Sequence, residues 1–203
     1  MKHPSKPAGQ PQRSTASVRI IGGTHKRSLL PVLEAPGLRP TGDRVRETLF
    51  NWLGQDLTGW RVIDAFAGSG ALGFEAASRG AVEVLMVESA KPLARSLVAT
   101  KDRLKFSQVN VVSTDALSTL AREVGRQWDG VFLDPPFALS GAGLFEQVLT
   151  ATRRAIADHG WCYLEAPKAW SSADLAPLGW SLAKHGRAGS VHFHLLEPLS
   201  SAT

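Results

Sequence analysis

Short apolar runs at residues 18–21 and 29–33 flank Gly22, Gly23 and a basic segment, a pattern that predicts two short strands joined by a turn. From Thr41 the period changes. Val45, Leu49, Trp52 and Leu53 recur at helical spacing while Arg44, Arg46 and Glu47 fall off that stripe, so a helix is expected here, opened by Thr41 or Asp43. After Gly59 strand-like runs at 61–66, 82–87, 109–113, 130–133 and 161–164 alternate with helix-like segments at 72–79, 92–105, 116–124 and 143–159. Gly80, Gly125 and Gly160 stand as helix terminators, and Pro92 sits at a first helical turn. Strict alternation requires crossover connections, hence an α/β fold with a mostly parallel sheet covered on both faces. Runs at 180–184 and 191–196, separated by a short Gly-containing segment, complete seven strands as a closing antiparallel pair.

Three segments follow from this pattern. Residues 1–17 are rich in Pro, Ser, Gln and Lys with almost nothing to bury, and are expected to be a disordered basic leader. Residues 18–58 form a hairpin and helix, and residues 59–203 a single α/β domain. Charge follows the same division. Of 23 Lys and Arg, nine lie in the first 50 residues against three acids, so the remainder is close to neutral. A basic arm on a neutral body suits a polyanion, because cations that neutralise phosphates release condensed counterions, and it equally suits a solvated tail. One cysteine, Cys162, excludes an intramolecular disulfide or a Cys-rich zinc cluster and fits a reducing compartment, so the cytoplasm is expected. No apolar run approaches the roughly 18 residues of a membrane span, and no membrane association is expected.

In open parallel sheets ligands bind outside the carboxyl ends of the strands, so the residues just after each strand carry the chemistry. The first such loop reads Asp64-Ala65-Phe66-Ala67-Gly68-Ser69-Gly70-Ala71-Leu72-Gly73, a literal G-x-G-x-x-G that on its own suggests a dinucleotide. Asp64 at the loop's start and Glu88 at the end of the next strand argue otherwise, since two carboxylates suit a cation better than a pyrophosphate. S-adenosylmethionine carries one net positive charge. Asp64 would face its methionine end, Phe66, Ala67, Gly68, Ser69 and Gly70 would let the backbone approach it, Glu88 would accept from the ribose hydroxyls, and Asp115 with Ala116 would meet the adenine. Taken singly, Asp115 reads as a helix cap and Asp64 as a loop-bonding carboxylate. Three acids after three successive strands, in register with the glycine loop, favour the cofactor.

The fourth strand ends in Asp134-Pro135-Pro136-Phe137. Two successive prolines donate no backbone hydrogen bond and hold an extended turn, which leaves the Pro135 carbonyl and the Asp134 carboxylate as two fixed acceptors. Such a pair grips both hydrogens of an exocyclic NH2, whose nitrogen is a poor nucleophile while its lone pair is delocalised into a ring. Phe137 would stack on a base taken out of its helix. His192 and His194 alternate onto one face of the last strand, but two histidines without a third ligand are no metal centre, and no metal is expected. Glu165 either faces the site or is structural. The six tryptophans read as core.

With those motifs in place the chain resembles a class I, Rossmann-like methyltransferase with a [DN]-P-P-[FYW] motif, and more closely the bacterial RsmD family. The resemblance rests on Arg19-Ile20-Ile21-Gly22-Gly23, Gly37-Leu38-Arg39-Pro40-Thr41, residues 43–53, residues 66–73 and residues 134–137. It implies methylation of N2 of a guanine in 16S ribosomal RNA, presented by the small subunit or a late assembly intermediate, by a monomer. It also implies that Arg39, Pro40 and Thr41 shape the methionine end of the pocket, and that the hairpin grips RNA, with Arg19, Lys26, Arg27, Arg44 and Arg46 as candidate contacts. Residues Thr24-His25-Lys26-Arg27-Ser28 replace the family's more usual Arg-Gly-Arg pattern. Two alternatives stand beside this one: an adenine-N6 methyltransferase, which the lack of a separate target-recognition domain disfavours, and a non-catalytic assembly protein, which the intact motifs disfavour.

Overall fold

The computed structural model describes residues 16–33, 42–137 and 143–199. Its main sheet is built from β3 (Arg61–Asp64), β4 (Glu83–Val87), β5 (Val109–Val112), β6 (Trp128–Leu133), β7 (Ile156–Ala166), β8 (Trp180–Ala188) and β9 (Val191–Pro198). The strand order is β5-β4-β3-β6-β7-β9-β8. Neighbours from β5 through β7 pair parallel, and β9 runs antiparallel between β7 and β8. A second sheet pairs β1 (Ala16–Arg19) with β2 (Leu29–Val32), antiparallel. The helices are α1 (Asp43–Trp52), α2 (Ala71–Ser78), α3 (Lys91–Leu104), α4 (Ala116–Arg122), α5 (Leu144–Ala155) and the short α6 (Ser172–Leu175).

Alternation along each strand divides the core into two layers. Val62, Val84, Met86, Phe132, Trp161 and Tyr163 face α1, α2, α3 and the hairpin, while Ile63, Leu85, Val131, Cys162 and Leu164 face α4, α5 and α6. The apolar stripe of α1 buries Val45, Leu49 and Phe50 against the first layer, and each such side chain contributes about 1.5–3 kcal/mol. Trp52, on the edge of the stripe, is half-buried against Phe193 at 5.3 Å between ring centroids. Trp128, Trp161, Trp170 and Trp180 are buried, as a core reading requires.

Several boundaries differ from expectation. Pairing begins at Ala16 rather than Val18, because Ala16 and Ser17 find partners in Val32 and Pro31. The α1 N-cap is Gly42, with Asp43 as the first helical residue; Thr41 lies outside the described residues. The expected helix over 143–159 stops at Ala155, and residues 156–160 open β7 instead. Ile156 pairs with Trp128 and is buried, so burial and ladder bonds override the helical pattern. Gly160 therefore ends no helix. It lies in the irregular stretch of that ladder, where a Cβ would come within 3.0 Å of the Asp129 and Trp128 carbonyl oxygens. Among the described residues no helix is long and apolar enough to cross a membrane.

Candidate active site

After β3 the chain turns across the end of β4: Ala65 N–H donates to the Phe132 carbonyl (3.1 Å) and Ala67 N–H to the Val87 carbonyl (2.9 Å). The loop thus sits between β4 and β6, where the strand order reverses and a parallel sheet opens its crevice. Gly70 takes φ +77° at the start of α2, a left-handed conformation that L side chains rarely adopt, and a Cβ there would collide with Phe74 and Leu97. At Gly73 a Cβ would lie 2.5 Å from Met86 Cε, the flexible end of a β4 side chain, and 3.1 Å from Asp64 Oδ2, so α2 packs closely on β3 and β4.

Both carboxylates of this crevice are held by backbone. Asp64, 2% exposed, accepts from Gly73 N–H at 2.9 Å. Glu88 accepts from Gly68 N–H through Oε2 (2.9 Å) and from Ala90 N–H through Oε1 (2.7 Å). Asp115 accepts from Ser118 N–H at 2.8 Å as the N-cap of α4, and these bonds hold its exposed carboxyl below the usual carboxylate range. Asp64 and Asp115 therefore make the local bonds that a structural reading of either alone requires, while all three acids remain at the carboxyl ends of β3, β4 and β5.

Burial, opposed by the Gly73 bond and assisted by the charge of Glu88, pushes the Asp64 carboxyl up to about 7. The unfolded chain ionises this group near pH 4 and the folded chain near pH 7, so stability falls as pH rises from 4 to 7 and is level above that. The loss is at most about 4 kcal/mol. Asp64→Asn keeps an acceptor for Gly73 and removes the ionisation. Its denaturation midpoint is expected to exceed that of the parent at pH 8 and to converge with it at pH 4; parallel pH curves for the two proteins would refute this account.

On the other side of β3, Asp64 pairs with Phe132 of β6, two residues before Asp134. Asp134 and Phe137 are half-buried and Pro135 is buried, so the Asp-Pro-Pro-Phe turn stands beside the glycine loop at the same end of the sheet. Tyr163, fully buried on β7, donates from Oη to Glu165 Oε1 at 2.8 Å. Burial, followed by the charges of Glu165 and Asp134, raises the Tyr163 phenol well above its ordinary value. Glu165, an open question from sequence, thus belongs to the same corner as Asp134. Tyr163 went unnoticed there, although its two-residue spacing from Glu165 on a strand is the signal that both share a face.

The basic candidates separate. Arg44 is exposed, and Arg19, 64% exposed, pairs with Asp43 at 3.0 Å. Lys26 and Arg27 are exposed in the β1–β2 turn, which docks on Ser78: Thr24 N–H donates to the Ser78 carbonyl (2.8 Å) and His25 N–H to its Oγ (2.9 Å). That is the far end of α2 from the glycine loop, about 12 Å away at 1.5 Å per residue. Arg46 must be withdrawn as an RNA contact. It is 0% exposed, donating to Asp43 (2.7 Å), to the Arg19 carbonyl (2.9 Å) and, at 3.5 Å, to Glu75. Arg39, Pro40 and Thr41 lie outside the described residues.

His194 is buried; its Nε2 accepts from Trp170 N–H (3.0 Å) and its Nδ1 donates to the Leu164 carbonyl (3.2 Å), with burial lowering its pKa to about 4. It is a neutral structural histidine. Among the described residues no group of three or more His, Cys, Asp or Glu could hold a metal ion.

A model of the family described as conserved hypothetical protein 95 matches residues 18–197. The chain is 38% identical over 188 residues to ribosomal RNA small subunit methyltransferase D of Escherichia coli K12, covering 90% of this chain and 91% of that protein. The chain belongs to the RsmD family of class I methyltransferases. The enzyme of the same name from Haemophilus influenzae is 38% identical over 197 residues, covering 93% of this RsmD-family chain and 97% of its relative. Methyltransferase yhhF of E. coli, a solved structure, superposes with a TM-score of 0.79 at 37% identity, covering 92% of this chain and 100% of its own. The seven-stranded, mostly parallel sheet with its helices and amino-terminal hairpin fits a Rossmann-like methyltransferase fold.

Proposed function

We propose that this RsmD-family enzyme transfers a methyl group from S-adenosylmethionine to the exocyclic N2 amine of a guanine in the RNA of the small ribosomal subunit. The observation that carries the reading is the Asp134-Pro135-Pro136-Phe137 turn beside the glycine loop at the point where the strand order reverses. The donor set fits a cationic cofactor: the carboxyls of Asp64 and Glu88 lie at the loop, and Gly70 admits no Cβ there. Asp64, the 66–70 loop, Glu88, Asp115 and Ala116 would hold it, together with residues 39–41. The cofactor supplies an electrophilic methyl on a sulfonium.

The chain's own groups do the rest. Asp134 and the Pro135 carbonyl accept the two amine hydrogens, which favours a pyramidal nitrogen and stabilises the positive charge that grows on it. Phe137 stacks on the base, and the turn fixes the nitrogen in line with the methyl. No strong base is needed before transfer, because the product ammonium is far more acidic than the amine; Asp134 or water takes the proton afterwards. The relatives named as ribosomal RNA small subunit methyltransferases support small-subunit ribosomal RNA as the substrate. That RNA is presented, in this reading, by the small subunit or a late assembly intermediate to a cytoplasmic monomer. Arg19, Lys26, Arg27 and Arg44 remain as candidate phosphate contacts.

Incubation with methyl-labelled cofactor and, separately, naked 16S RNA, small subunits and DNA, followed by digestion to nucleosides, tests the reading. N2-methylguanosine from an RNA-containing substrate is expected; label in DNA alone, or in N6-methyladenosine, refutes it.

A further inference from the structure

The near-neutral charge of the α/β body conceals a concentration of cations. Residues 51–203 hold fourteen Lys and Arg against fifteen acids, yet five of those cations, Lys91, Arg95, Lys101, Arg103 and Lys105, fall within fifteen residues beside the single acid Asp102. The rest of the body is therefore acidic. Arg61, Arg79, Arg126 and Arg153 each have a carboxylate within 3.5 Å. Lys91, Arg95, Lys101 and Lys105 are in no ion pair among the described residues.

These cations lie on α3 and at its end, and α3 joins two parts of the molecule that the proposed reaction needs together. Its first residue, Lys91, follows closely on Glu88, whose carboxylate holds the Gly68 and Ala90 amides at the cofactor loop. Its other end meets the hairpin: Arg103 donates to the Leu29 carbonyl, and the Phe106 ring lies 4.2 Å from that of His25, the neighbour of Lys26. The helix has 14 residues and is about 21 Å long. The exposed Lys26 and Arg27 thus stand at one end of α3 and the glycine loop at the other.

Beside the first half of α3 an open groove of about 420 Å³ runs against β5, lined by Lys91, Ala94, Arg95, Val98, Val111 and Ser113. β5 is the terminal strand of the sheet, so no further strand closes the groove. Lys91, Arg95 and Val98 follow one another at helical spacing on one face, and all three are exposed, Val98 to 43%. Two unpaired cations repel a cationic cofactor. They suit a polymer that alternates phosphate with sugar and base, because phosphates neutralise the cations while the flatter groups cover Val98 and Val111.

Resting on the reading that the substrate is RNA, we infer that the α3–β5 groove and the outer face of α3 form the track on which a strand of that RNA passes between the hairpin turn and the catalytic end of the sheet, with Lys91 and Arg95 as phosphate contacts. An RNA held at both ends must cross this helix, and its cations are free to receive it.

Methylation of small subunits across a salt series tests the track. For the double variant Lys91→Gln, Arg95→Gln, both exposed positions, KM for the subunit is expected to rise about 10- to 100-fold at about 50 mM salt, while kcat and cofactor affinity change little. The slope of log KM against log salt is expected to fall by about 1 to 2, since two phosphate contacts are lost. A second double variant, Arg154→Gln, Lys184→Gln, removes the same charge from exposed positions on α5 and β8 and is expected to leave KM and slope close to wild type. An unchanged KM in the first variant, an equal change in the second, or a parallel loss of cofactor affinity overturns the inference. Val98→Cys carrying a photoreactive label names the occupant: irradiation with small subunits is expected to tag 16S RNA, and label on ribosomal protein alone, the mark of an acidic protein segment in the groove, overturns it. Failure of the RNA reading has a separate signature, methyl label from wild-type protein recovered in DNA alone, and it removes the inference as well.

Discussion

Asp134→Ala is expected to lower kcat by about 100- to 1,000-fold while cofactor affinity stays within a few-fold of the parent. Removal of one fixed hydrogen-bonding group from a site where charge develops costs about 2.7–4 kcal/mol of transition-state stabilisation. The carboxylate contacts the acceptor amine rather than the cofactor, so the loss is confined to turnover. Asp134→Asn keeps an oxygen that accepts one amine hydrogen and should retain much more activity than the alanine variant. The separation is measured by single-turnover methylation of small subunits alongside calorimetric titration of the cofactor. An alanine variant with wild-type turnover would remove Asp134 from the chemistry.

Glu75→Ala is expected to be the most destabilising single substitution outside the apolar core. Glu75 is fully buried on α2 and accepts from Arg79 Nε (2.8 Å), from the Ile21 backbone N–H (2.8 Å) and, more distantly, from Arg46 Nη1 (3.5 Å). Arg46 is joined in turn to Asp43 and the Arg19 carbonyl, so one carboxylate ties the hairpin, α1 and α2 together. Its removal leaves two buried guanidinium groups short of negative charge, a change that costs about 3–5 kcal/mol. Chemical denaturation should register that loss. A shift below about 1 kcal/mol would mean that the network contributes little beyond packing.

The alternation of strand and helix was legible because each parallel strand is buried on both faces and reads as a short apolar run, as at residues 84–87 and 131–133. Right-handed crossovers dictate which face of the sheet each helix covers, whereas the strand order, on which the position of the site depends, is fixed only by the pairing seen in the structure. What misled was local. Residues 156–160 continue an apolar helical pattern, yet their pairing with β6 is set by Trp128, almost thirty residues earlier. Arg46 illustrates the same difficulty among charged residues. In one dimension it is a cation one step off an apolar stripe, and only the arrival of Glu75 and Asp43 from other turns of helix makes it a buried strut. The motif residues were visible because glycine and proline constrain the backbone wherever they stand, whereas Tyr163 required knowledge of which strand lies beside β6.

The dependence of the hairpin on α2 has a consequence for synthesis. Ile21 and Thr24 are anchored by Glu75 and by the Ser78 carbonyl, each 54 residues further along the chain. A ribosome therefore releases β1, β2 and their cations well before it has made the groups that receive them. Contacts of such long sequence separation close late. The amino-terminal segment waits on the nascent chain, positively charged and unanchored, until the first strand–helix unit of the sheet has emerged behind it.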